Sequence, residues 1–325
     1  TLLTLLLATG LAGRKNAALA SGFGLAAAWG FGLWVLAQPM PEARDITLRL
    51  VQPDAAQQVK WDPEMAQKFY DRLLDFTAMG NRPDLVIWPE TALPYSLDRH
   101  PEIAQTIAEA GGGAAVAFGF QREEGQRGYN SMVVIGPDAK RIATYDKFHL
   151  VPFGEYIPFG DALFSWANIS AFAAQVGNGY SAGAGPQVLD LGAKLGKVQP
   201  LICYEAVFPQ DLRAASRPDW LLQITNDAWF GTWTGPFQHA AQARLRAIEQ
   251  GLPLVRVANT GVTAVYDARG RVTASLPFGV ADYLDARLPA ALPATPFARW
   301  GEGPFALLLA GLFAAAFWTR RPRAA

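Results

Sequence analysis

The chain is 325 residues long with a formal charge of zero, 28 Lys and Arg against 28 Asp and Glu, so no global field recruits nucleic acid or an acidic partner. Hydrophobic residues make up 51% and charged residues 17%, more apolar than an ordinary soluble protein and a pointer to membrane. A single cysteine excludes an intrachain disulfide and a thiolate cluster, and His100, His149 and His239 lack ligand spacing, so neither metal nor cofactor is expected.

Residues 1–39 predict a membrane region, one partial apolar segment (LLTLLLATGLA) and then an uncharged helix over 17–37, long enough to cross the hydrocarbon core. A cleaved signal peptide is the rival reading; its apolar region is shorter and does not follow another apolar segment. The chain begins without Met inside an apolar run and reads as lacking upstream helices. At the other end, 303–319 is a second uncharged span, ahead of a basic tail at 320–325. Arg14 and Lys15 before the first span, and Arg320, Arg321 and Arg323 after the last, place the cytoplasm at both ends and the body outside the cytoplasmic membrane.

The body, 40–290, alternates short apolar runs with helical stretches. Strands are predicted at DITLRLVQ, DLVIWP, AAVAFGFQ, SMVVIGP, RIATYDK, VQPLICYE, DWLLQITND, PLVRVANTG and TAVYDARG, and helices over 62–79, 101–110 and 236–250. This is an α/β layered pattern with buried sheets. GPDAKR (136–141) and DARGRV (267–272) read as hairpin turns, so the sheets are mixed. PAALPATP (289–296) opens a linker, taken as 291–302, before the last span.

In α/β sheets ligands gather beyond the carboxyl ends of strands, where three reactive side chains are found. Glu90 ends DLVIWPE, Lys147 ends RIATYDK and Cys203 ends VQPLIC. Alone, each has a bland reading: a helix-start carboxylate, a solvated turn, a small core hydrophobe. Together they supply a thiol, an ammonium that lowers its pKa and a carboxylate that accepts its proton. Lys147 and the backbone N–H groups after Cys203 would also stabilise the oxyanion formed when sulfur attacks a carbonyl. His149, two residues past Lys147, is a candidate participant or a packed turn residue. Arg244, Arg246 and Glu249 read as structural ion pairs.

WPETALP with Glu90, YDKFHLVPFGEYIP with Lys147 and Glu155, and LICYEAVFP with Cys203 occur in that order and resemble the Glu-Lys-Cys nitrilase superfamily. Within it, VQPDAAQQVKWD, TNDAWFGTWTGPFQH and the flanking spans are most similar to the bacterial apolipoprotein N-acyltransferase branch. The resemblance covers roughly 45–288. It implies a nitrilase-like αββα sandwich flanked by transmembrane helices, and a ping-pong reaction. Cys203 takes an acyl chain from a phospholipid as a thioester and passes it to the amine of a diacylglyceryl-cysteine apolipoprotein. Glu90 is the implied base and Lys147 the oxyanion partner; Trp61, Glu155, Tyr204, Glu205, Asn226 and Trp229 are implied to support them. The implied partners are the bilayer, the phospholipid donor and the apolipoprotein acceptor, with no nucleic acid and a monomeric state.

The residues themselves also point to lipid. FGDALFSWANISAFAAQ (159–175) carries almost no charge and AWFGTW (228–233) adds aromatics, surfaces suited to a bilayer and hazardous in water. A folded lid over an ordinary pocket is the competing reading. The rival functions are a membrane-tethered amidase acting on a small C–N substrate and a non-enzymatic lipoprotein-binding module, which would not need the activated thiol.

Overall fold

The computed structural model describes residues 7–11, 15–156 and 179–319. The apolar segment 159–175, Arg14 and the basic tail lie outside the described residues. The chain divides into two compact units, Glu42–Thr295 and, separately, Thr1–Pro41 with Pro296–Ala325.

The larger unit holds two six-stranded sheets. The first has the order β12-β1-β2-β3-β4-β5, from β1 (Thr47–Gln52), β2 (Leu85–Ile87), β3 (Ala115–Glu124), β4 (Arg127–Ile135), β5 (Arg141–Asp146) and β12 (Asp282–Arg287). The second runs β11-β10-β9-β8-β7-β6, from β6 (Leu189–Asp190), β7 (Lys197–Ile202), β8 (Trp220–Thr225), β9 (Leu254–Ala258), β10 (Ala264–Tyr266) and β11 (Val272–Ser275). Strands β1, β2 and β3 are parallel, as are β7, β8 and β9; the others join antiparallel, so both sheets are mixed as expected.

The apolar runs are nearly continuous because alternate side chains enter different layers. Leu48, Leu50, Leu85 and Ile87 of one sheet meet Val198, Ile202, Trp220, Leu222 and Val257 of the other in a central core. Val86, Trp88, Val116 and Phe118 point the other way, against Tyr70 and Leu73 of α2 (Pro63–Ala78) and Ile107 of α3 (Glu102–Ala110). Leu201, Leu221 and Leu254 pack on Ala243 and Ala247 of α4 (Gly235–Gln250). These three cores define four layers, α, β, β and α. Helix α2 begins where Asp62 accepts the Glu64 and Met65 N–H groups and Pro63 needs no partner.

Strands β6 and β12 escaped the sequence reading, and β11 entered it only through the hairpin turn at 267–272. Strand β12, DYLDAR, has no apolar alternation because it is a mostly exposed edge. It pairs with all of β1, from Thr47 opposite Arg287 to Gln52 opposite Asp282, and its Asp285 meets the buried Arg49 at 2.7 Å.

In the smaller unit, α1 (Lys15–Ala37) contains a 20-residue stretch, Ala18–Ala37, long and apolar enough to cross a membrane. Helix α5 (Gly303–Thr319) has 17 residues, a length of about 25 Å at the short limit for crossing the hydrocarbon core. A short helix, Pro296–Trp300, lies within the predicted linker.

Candidate active site

The three reactive groups sit at strand ends and all are buried: Glu90 after β2, Lys147 after β5 and Cys203 after β7. The chain leaves β2 through Thr91, whose φ of 46° is left-handed, and turns the Glu90 backbone against β3. Gly119 of β3 makes that possible, since a Cβ there would come within 2.7 Å of the Glu90 Cα and of the Pro89 carbonyl oxygen. Strand β7 ends one residue before the nucleophile. Cys203 opens a tight helical turn, Cys203–Val207, at a φ of 51°, a strained position of the kind that clusters at functional sites.

Each partner of the thiol is held in turn. Lys147 Nζ donates to Glu155 Oε1 at 2.9 Å and to Glu90 Oε1 at 3.4 Å. Asn130 Nδ2 bridges the same two carboxylates, at 2.7 Å from Glu90 Oε1 and 2.9 Å from Glu155 Oε1. The Asn226 N–H donates to Glu90 Oε2 at 2.8 Å, and the Val151 N–H to Glu155 Oε2 at 2.8 Å. Burial pulls the Lys147 pKa down, but the charges of Glu90, Cys203 and Glu155 outweigh it and hold the amine above its ordinary value.

The thiol behaves otherwise than the sequence suggested. Burial first, then the Glu90 charge, push Cys203 up to about 12, against the opposing pull of Lys147 and a hydrogen bond with Thr225. Lys147 does pull the thiol pKa down, as expected, but burial and the Glu90 charge outweigh it, so the net shift is upward. The net upward shift favours the neutral form of the thiol.

The predicted supporting residues divide. Glu155 and Asn226 touch the triad as just described, and Asn226 also bonds Gln57 and Asn259. Glu205 is buried and clamps two strand ends together. Its Oε1 accepts from the Tyr145 hydroxyl and the Phe148 N–H at 2.7 Å, and its Oε2 from the Ile202 N–H at 2.7 Å. Burial raises the Glu205 pKa despite these donors. Tyr204 packs edge-on against Phe208, with ring centroids 5.0 Å apart. Trp61 and Trp229 are exposed. Trp61 has the Lys60 amine 5.3 Å from its ring centre and no hydrogen bond to the triad. His149 stacks on Phe208 at 3.8 Å and lies 2.6 Å from Asp211, the packed-turn reading. Arg246 pairs with Glu249 at 2.7 Å, as an ion pair on α4.

Sequence reasoning missed Asn130 and Lys60, because an Asn inside a strand and a Lys inside a loop carry no local signal. Lys60 is buried, donates to Thr91 Oγ1 at 2.9 Å beside Glu90, and is lowered to about 8 by burial. Among the described residues no cluster of three His, Cys, Asp or Glu is placed to hold a metal.

A sequence model of the carbon-nitrogen hydrolase family matches residues 46–295. The chain is similar to apolipoprotein N-acyltransferases of Sinorhizobium fredii, 39% identical over 94% of this chain and 61% of the relative, and Sinorhizobium medicae, 42% identical over 81% and 52%. It thus spans about half to three fifths of the length of these curated relatives. Among solved structures it is similar in fold to an amidase from Nesterenkonia, with TM-score 0.55 and 18% identity, covering 78% of this chain and 94% of that one. A carbon-nitrogen hydrolase superfamily protein from Xanthomonas campestris has TM-score 0.56 and 21% identity, covering 82% and 97%.

Proposed function

Because the chain belongs to the carbon-nitrogen hydrolase family, we propose that its Cys203 is an acyl-transfer nucleophile and that the whole protein is an apolipoprotein N-acyltransferase. The observation that carries the reading is a buried thiol, a carboxylate and an amine at three strand ends, in a chain 39% identical to such a transferase over 94% of its length.

Glu90 takes the thiol proton as sulfur adds to the ester carbonyl of a phospholipid, and the carbonyl π pair moves to oxygen. Lys147, fixed by Glu155, stabilises that oxyanion. Collapse breaks the carbon–oxygen bond, Glu90 returns the proton to the leaving glyceryl oxygen, and a lysophospholipid departs. The amine of a diacylglyceryl-cysteine apolipoprotein then attacks the thioester, Glu90 accepts its proton, and as the carbon–sulfur bond breaks Glu90 passes that proton to the sulfur, regenerating thiol and carboxylate. A neutral thiol suits this cycle, since it resists adventitious oxidation between turnovers.

The lipid substrate is supported by the exposed aromatics after β8. Trp229 is 62% and Trp233 86% exposed, beside Phe230, a surface that water disfavours and a bilayer accepts. In this reading α1 and α5 cross the inner membrane, the catalytic unit faces the periplasm and the enzyme works as a monomer.

Intact mass spectrometry of the detergent-solubilised full-length protein after incubation with a diacyl phospholipid tests the proposal. A fatty-acyl adduct is expected on the wild type, absent from Cys203→Ala and discharged by a diacylglyceryl-cysteine peptide. An adduct formed only from a small amide would sink the lipoprotein reading in favour of a tethered amidase.

A further inference from the structure

The Cys203 carbonyl oxygen receives two side-chain contacts from other elements. Gln223 Nε2, on β8, lies 3.1 Å away and His239 Nε2, on α4, 3.0 Å away. Both side chains are buried. His239 is fixed from behind: its Nδ1 is 2.9 Å from Asp227 Oδ1, and Arg256 donates to both Asp227 oxygens, at 3.0 and 2.8 Å. Burial opposes the Asp227 charge, but Arg256 and His239 prevail and hold its carboxyl below the ordinary range. A Cβ at Gly261 would collide with that carboxylate, so the cluster is closed on that side by the absence of a side chain.

Sequestering such charges costs several kcal/mol of desolvation before their attraction repays it. None of the four side chains takes part in the proton transfers described above. Gln223 and His239 share the Cys203 carbonyl, and Asp227 and Arg256 stand behind His239. The 203–204 peptide is trans and planar, so the Tyr204 N–H points opposite to that oxygen. Holding the oxygen on the Gln223 and His239 side therefore aims the N–H away from them.

The geometry points to Gln223 and His239 as positioning residues for acyl transfer at Cys203: through the carbonyl they hold, they direct the Tyr204 N–H as the second donor, beside Lys147, to the oxyanion. This rests on the proposed function only in that Cys203 attacks an acyl carbonyl. The role separates two reactions of one sulfur. Attack on an ester carbonyl places charge on oxygen and needs the N–H. Displacement of iodide from iodoacetamide forms a carbon–sulfur bond with loss of iodide and a proton, and creates no oxyanion.

Full-length protein in detergent is compared as wild type, His239→Phe, His239→Gln and Gln223→Met for Cys203 acylation by p-nitrophenyl butyrate, alkylation by iodoacetamide and thermal melting. His239→Phe is expected to slow acylation on the order of 10²-fold and to leave alkylation within about twofold. His239→Gln, whose amide nitrogen reaches the Nε2 position, should recover most of the loss, and Gln223→Met should show a smaller but equally selective loss. Parallel loss of both reactions in every folded variant, or acylation of His239→Phe at the wild-type rate, overturns the assignment. Should His239→Phe not fold, a Gln223→Met protein that loses no acylation overturns it. Wild type acylated by the ester but never by phospholipid would refute the lipid reading and leave this one standing; no acylation by either would refute both.

Discussion

At the residue scale, Cys203 combines a left-handed backbone with a thiol raised to about 12. Its iodoacetamide alkylation rate should therefore keep rising with pH through pH 10, where an unperturbed thiol levels off near its pKa of about 8.5. A plateau below pH 9 would show that Lys147 prevails after all. Lys60 gives a second test. Its folded pKa of about 8 lies below the ordinary lysine value of 10.5, so between these values the unfolded chain binds the extra proton and stability rises with pH. Below pH 8 both states are protonated and the folded state bears the full cost of burying the charge, about 3 kcal/mol by the 1.36 kcal/mol per unit relation. Lys60→Met should accordingly be more stable than wild type at pH 7, with the gap closing towards pH 10.5, measured by urea unfolding at several pH values. A gap that widens with pH contradicts the burial argument.

At the scale of elements, the site depends on how tightly β3 approaches the turn after β2. Gly119→Ala inserts a methyl within 2.7 Å of the Glu90 Cα and so pushes Glu90, the proposed base, out of place. Displacement of a catalytic group by ~1 Å costs about 10²-fold in rate, so kcat should fall to that extent while melting shows a folded protein; unchanged kcat would mean that Glu90 tolerates the shift. The sequence revealed most of these elements. The helix over 62–79 was placed within a residue of α2 at both ends, and apolar runs marked β2 and β8 as buried strands. Strand β12 stayed hidden because its residues answer to a partner, Arg49 among them, some 236 positions away. The end of β7 was placed too late, because an apolar residue that turns a corner looks like one that continues a strand.

For the whole molecule, the triad lies entirely within Glu42–Thr295, while the membrane-crossing candidate lies in the other unit. Residues 42–295 expressed alone should keep Cys203 alkylation and a cooperative melt yet lose partition into the detergent phase of a Triton X-114 separation; an unfolded product would show that the flanking helices complete the core. The sequence by itself picked out Glu90, Lys147 and Cys203 as candidate reactive groups and showed roughly where they stand, since strand ends, turn residues and apolar spans are local and periodic. Only the tertiary structure decided how they are held. The charge state of the thiol, the bridging Asn130, the Glu205 clamp and the buried cluster behind the Cys203 carbonyl all arise from distance and desolvation between residues far apart in sequence, and no local pattern encodes either.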